Sequence, residues 1–223
     1  MGRKRKGKAG HGSPERQEEM HEVVHHPNYD IVWEPLKGQG SPEIADPYVR
    51  EQLAELYELT ARSPAEAAPI LIELIEKYPD VLPFYNYLTV AYANMGEMEE
   101  AKTLVKGLYE KRPDYLFAKL NYIDLCVNEG RFDEVPEILG DKYDLHLLQP
   151  GRTRFHITEF VGFAGTVGNY FARIGKIDLA EMFCDVLREL APDDPQTARL
   201  ERALKMGRLS ERLKKLSSSI TRN

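Results

Sequence analysis

From Tyr48 onward, apolar side chains recur at the helical spacing of three and four: Leu53, Leu56, Tyr57 and Thr60, then Ile70, Leu71, Leu74 and Ile75 after the breaker pair Ser63-Pro64. This pattern predicts two helices joined by a tight turn, and it returns along the chain. Gly96, Gly130 and Gly175 each have an aromatic or thiol four residues before (Tyr92, Cys126, Phe171) and a small or branched residue five after (Ala101, Val135, Ala180). Gly96 and Gly130 stand 34 residues apart, the period of a helical hairpin array. Pro113 and Pro192 close two of the units, each 17 residues after its glycine. The interval from Gly130 to Gly175 is 45 residues, one period plus an 11-residue insertion between Leu139 and Val161. A fainter copy precedes these, with Ala67 and Pro79 lying 34 residues before Ala101 and Pro113. In Asn94-Met95-Gly96 and Asn128-Glu129-Gly130, asparagine and glycine supply the backbone freedom that a helix end needs.

With these landmarks the chain resembles the tetratricopeptide repeat family. Four units cover roughly residues 48 to 194: 48–81, 82–115, 116–149 and 161–194. The second carries Tyr85, Leu88, Tyr92, Gly96, Ala101, Leu108 and Pro113 at the family's places, and the fourth carries Val167, Gly168, Phe171, Gly175, Ala180, Leu187 and Pro192. The third keeps Tyr122, Cys126, Gly130 and Val135 and has Pro150 late, while the first has Arg62 and Ser63 where the turn glycine belongs. The resemblance implies an all-α fold, a right-handed α-solenoid of about four such hairpins with a C-terminal capping helix. The first helix of each pair would line a concave groove that binds an extended or helical peptide of another protein. Family geometry puts Asn86, Val90 and Asn94, then Leu120, Asp124 and Asn128, then Asn169 and Arg173 on that wall. Asparagine suits such work because it offers a donor and an acceptor to a peptide backbone. The subgroup that clamps the C-terminal carboxylate of heat-shock chaperones is matched only at Asn121; its cationic places fall on Gln52, Asn86, Gly162 or Thr166. A less charged or basic ligand is implied instead.

Residues 1–40 read as a basic, largely disordered tail, with Ser13-Pro14, His26-Pro27 and Ser41-Pro42 resisting helix formation. Within it, Tyr29 to Leu36 holds the only tryptophan, Trp33, and is expected to dock on the first helix pair; an exposed linker, or a segment lying in the groove, are the alternatives. The insertion, Gly140 to Arg154, reads as a loop or as an extension of the next helix, with helices following near 155–173 and 177–190. In the final stretch, 195–223, Leu200, Leu204, Leu209, Leu213 and Leu216 predict an amphipathic capping helix, interrupted in pattern by Gly207. Its basic residues would also suit an anionic lipid surface.

Composition narrows the function. The 223 residues are 42% hydrophobic, enough for one core or one stack of helix pairs. No apolar run suits a bilayer span and the basic start, Arg3 to Lys8, is not followed by one, so a cytoplasmic protein is expected. Cys126 and Cys184 occupy inward positions and read as reduced core residues. The net charge of −6 joins basic ends to an acidic body. That distribution leaves nucleic acid no place along the repeats, and only the tails could meet phosphate. His21-Glu22-Val23-Val24-His25 has the spacing of a helical zinc-protease motif, but Pro27 ends any helix and a third ligand is missing. Metal binding by His21, His25 and His26 is the weaker remaining option. No phosphate loop, dinucleotide fingerprint or serine elbow occurs, His146 and His156 read as surface or packing residues, and the pairs Glu99-Glu100 and Asp193-Asp194 sit at helix starts, where the dipole favours them. The reading is a non-catalytic scaffold or adaptor without cofactor. Its rivals are a module that self-assembles through its last helix or its groove into a homo-oligomer, and a nucleic-acid or metal-binding arm at the N-terminus.

Overall fold

In the computed structural model, which describes residues 23–34 and 46–220, the chain is mostly helical. The described residues begin with two short strands, β1 (Val23–His26) and β2 (Tyr29–Val32). Helices α1 (Pro47–Arg62), α2 (Pro64–Lys77), α3 (Leu82–Met95), α4 (Met98–Lys111), α5 (Leu116–Glu129) and the short α6 (Glu134–Leu139) follow as three hairpins. The insertion forms a single turn, α7 (Leu145–Leu148), and a strand, β3 (Arg154–His156). The long helix α8 (Ile157–Arg173), its partner α9 (Ile177–Leu190) and a final α10 (Pro195–Ile220) complete the fold.

Local chemistry sets the boundaries. Asp46 caps α1 by accepting from the Tyr48 amide, and Pro47 and Pro64 occupy first-turn positions where no amide donor is needed. Gly96 and Gly130 end α3 and α5 at φ 81° and 76°, a left-handed conformation that side chains with a β-carbon resist. The first hairpin does without such a glycine: Ser63 alone links α1 to α2. The α3–α4 link has two residues, Gly96 and Glu97, one more than the first. Ala101 and Ala180 are 5% and 0% exposed at the tight helix contacts, and Cys126 and Cys184 are free thiols at 0%.

Packing runs along the chain: α1 on α2 and α3, α4 on α3 and α5, α5 on α8, and α8 on α9 and α10. The largest apolar cluster centres on α8, which is buried at every residue from Phe163 through Ala172. Glycines let its neighbours come close. A β-carbon on Gly162 would touch Phe117 and Leu120 of α5 at 3.4 and 3.5 Å; on Gly165 it would lie 2.9 Å from Gln196, and on Gly168 2.6 Å from Leu200.

Two expectations are corrected. Tyr29 and its neighbours do dock, but on the insertion rather than on the first helix pair. β2 pairs antiparallel with β1 and parallel with β3, matching Ile31 to Phe155. Tyr29, Ile31 and Val32 are buried there at 6%, 2% and 0%, so residues 23–34 are part of the folded body rather than of a disordered tail. The insertion supplies the receiving strand because Phe155 and Leu145, both 0% exposed, need an apolar cover. On α10 the leucines do not form one stripe. Leu200 and Leu204 are buried against α8, whereas Leu209 and Leu213 are 49% and 57% exposed. At about 100° per residue, Leu209 stands half a turn away from Leu200. Gly207 does not break the helix; a β-carbon there would lie 2.6 Å from Ile177, so the glycine admits a close contact.

Glycine substitution in two helices separates these effects. Gly168→Ala should destabilise the fold by about 1–3 kcal/mol through overpacking against Leu200 and Phe183. Gly107→Ala in α4, where no atom lies within 4 Å, should stabilise by about 0.5–1 kcal/mol. Urea denaturation of the two variants reads both; equal and small effects would contradict the close α8–α10 contact.

Candidate functional site

The residues expected to line a concave groove divide into an open and a closed group. Those on α3 remain accessible. Val90 is 43% exposed, Asn94 is exposed, and Asn86 is half-buried, its carboxamide oxygen accepting from the Asn121 side chain of α5 at 2.8 Å. Asn128, in the last turn of α5, is also exposed. The closed group lies under the later helices. Leu120 is 2% exposed and packs on α8 at Gly162, and Asn169 is 6% exposed within α8. Asp124 receives a two-pronged contact from Arg199 of α10 at 2.6 and 2.9 Å. Burial opposes the Arg199 charge, yet its pKa is raised, because the hydrogen bonds and charge of Asp124 outweigh desolvation. Arg173 is exposed at the end of α8.

The sequence reading missed the aromatic part of the open face. Tyr57 of α1 is 58% exposed and meets Tyr87 of α3 edge to face, with centroids 6.0 Å apart. Tyr115 precedes α5, and its hydroxyl is pushed up by burial first, then by the neighbouring Tyr87 and Glu159 of α8. Tyr57 and Tyr87 thus meet between the first and second hairpins, with the buried Tyr115 near Tyr87. The helical pattern placed Leu56 and Tyr57 side by side without distinguishing them; Leu56 is the buried one, at 2% exposed. Burial first, then Tyr57, pushes the Tyr87 hydroxyl up to about 12. On the opposite side of α3, Tyr85, Leu88 and Tyr92 line a cleft of about 760 Å³ with Leu104 and Leu108 of α4.

The histidines are structural. His25 and His26 lie on a strand, where successive side chains point to opposite faces, so the helical spacing of a zinc motif is not realised. His25 Nδ1 meets Asp30 at 2.7 Å, and His26 stacks on Tyr29 at 4.3 Å. His21 lies outside the described residues, and among those described no group of three His, Cys, Asp or Glu could hold a metal ion. His146 reaches the Arg152 carbonyl at 3.3 Å. His156 is the N-cap of α8: its Nε2 donates to the Trp33 carbonyl at 3.0 Å, which leaves Nδ1 to accept from the Thr158 amide. Glu159 accepts from the His156 amide and, at 2.8 Å, from both terminal nitrogens of Arg152. One capping box thus ties together β2, the insertion and α8.

Among the described residues no helix is long and apolar enough to cross a membrane. Comparison with protein-family models, with curated proteins and with solved structures finds no match to this chain.

The tyrosines predict an alkaline limit to stability. Tyr29 and Tyr87 are raised from 10.0 to about 12, mainly by burial. A folded-state pKa above the unfolded one stabilises the fold fully below about pH 10, and this contribution is lost as pH rises through about 12. Urea midpoints should therefore fall between about pH 10 and 12, and Tyr87→Phe should lessen the fall. A midpoint independent of pH over that window would contradict the buried hydroxyls.

Proposed function

We propose that this chain is a tetratricopeptide-type array, a right-handed solenoid of four hairpins closed by α10, that works as a cytoplasmic, non-catalytic adaptor. Its ligand is a peptide segment of another protein, held on the open face of α1, α3 and α5. The repeat reading is supported by the 34-residue spacing of Gly96 and Gly130 together with their shared left-handed geometry. It is supported too by the succession of hairpins packed on their neighbours.

The observation that carries the binding proposal is the character of the open face. Over its 14 residues α3 has no charged side chain, and it presents Asn86, Val90 and Asn94 beside Tyr57 and Asn121. Amides and aromatic rings without charge suit the main chain and apolar side chains of a peptide; they offer nothing to clamp a carboxylate terminus. Val90 and Tyr57 supply apolar contact that is already exposed, so a guest gains burial without first displacing packed side chains. Asn169 of α8 and Asp124 of α5 do not contribute, since Asn169 is buried and Asp124 is held by Arg199.

Selection of a displayed peptide library on the full chain tests this, followed by affinity measurement on variants. Val90→Glu and the Asn94→Ala/Asn128→Ala pair should each weaken the selected peptides about tenfold or more with an unchanged melting temperature. Arg173→Ala should have no effect. Peptides that bind all variants equally would refute the assigned face.

A further inference from the structure

The two ends of the helix array carry opposite charge. At one end, α1 buries Val49, Leu56 and Thr60 toward α2 and α3. Helix geometry puts Glu51, Glu55 and Glu58, spaced by four and three, on the side turned away from that contact, with Arg62 as the one cation among them, and all four are exposed. Tyr48 stands with them, 47% exposed. At the other end, α10 buries Leu200 and Leu204 on α8 and presents Met206, Leu209 and Leu213 on its far side, 65%, 49% and 57% exposed. Two α10 cations are engaged within the molecule, Arg199 by Asp124 and Arg208 by Glu181. Arg202, Lys205 and Arg212 are exposed beside the apolar side chains and have no acidic partner among the described residues.

We propose that the far side of α10 receives the α1 face of a second copy of this chain, head to tail. Charge selects the occupant. Pairing α10 with α10 would set Arg202, Lys205 and Arg212 against their own kind, whereas α1 brings three carboxylates against one cation, Arg62, with the Tyr48 ring beside them under Lys77. The geometry already exists within one molecule, where α1 packs on α3, α5 on α8 and α8 on α10, each the first helix of its unit against the first helix of the next. A second α1 on α10 extends that row by one step. The faces are unlike, so the contact does not close between two copies and leads to linear oligomers. It is separate from the peptide face, because Tyr57, Val90 and Asn94 take no part.

Sedimentation velocity on the full chain, over a concentration series in about 50 mM and about 500 mM salt, tests the assignment. Mass should rise above the 25.5 kDa of one chain with concentration at low salt and return to it at high salt. Arg202→Gln/Lys205→Gln/Arg212→Gln and Glu51→Gln/Glu55→Gln/Glu58→Gln should each weaken association about tenfold or more, with unchanged thermal melting because every altered side chain is exposed. Each variant keeps one intact end, so mixing them should restore a 1:1 pair that stops at two chains. A monomer at every concentration in low salt, undiminished association of either variant, or a mixture that stays monomeric would overturn the proposal. So would binding of α10 to phosphatidylserine vesicles by a chain that does not self-associate, since that gives the face to a lipid surface.

Discussion

The close approach of α5 and α10 to the glycine-bearing side of α8 is the constraint on which the C-terminal half of this molecule depends. Three glycines at intervals of three, Gly162, Gly165 and Gly168, remove the β-carbons that would hold Phe117, Gln196 and Leu200 away. Glycine in a helix interior costs about 0.5–1 kcal/mol relative to alanine. Three of them on one side imply a packing gain that exceeds this, drawn from the buried leucines and phenylalanines of the central cluster. The consequence is steric: with α10 on α8, the α8 side chain Asn169 is covered.

Polar groups divide along the same line. In the closed half, charges are paired before they are buried: Asp124 with Arg199, and Glu159 with Arg152, whose side chains are 14% and 12% exposed. Such pairs fix position more than they add stability, because desolvation offsets much of their attraction. In the open half, α3 avoids charge, and the Asn86–Asn121 bond orients both carboxamides. On the proposed reading, a face whose amides are held in place and whose apolar side chains are already exposed would lose little entropy on binding a peptide.

Much of the fold was legible because it is local. The glycines at 96, 130 and 175 all adopt the left-handed conformation that their repeat pattern demanded, and helices expected near 155–173 and 177–190 run from 157 to 173 and from 177 to 190. What escaped was long-range or depended on a single residue. The pairing of Tyr29–Val32 with Arg154–His156 joins segments more than a hundred residues apart, and an isolated apolar run carries no record of which edge it will meet. His156 has no motif as a cap; its role appears only once Trp33 and Thr158 stand beside it. Of the residues expected to line a groove, Asn86, Val90, Asn94, Asn121, Asn128 and Arg173 remain at least partly exposed, and Leu120, Asp124 and Asn169 are covered. Repeat spacing gives the side of a helix but not whether a later helix lies on it.

Native-state hydrogen exchange of the full chain tests most directly whether α10 is fixed on α8. Amides of residues 160–172 and 197–207 should open as one cooperative unit, with the same free energy and the same dependence on denaturant. Rapid exchange across 197–207 while 160–172 stays protected would show α10 detached from α8, and the inner wall would then be open along its whole length.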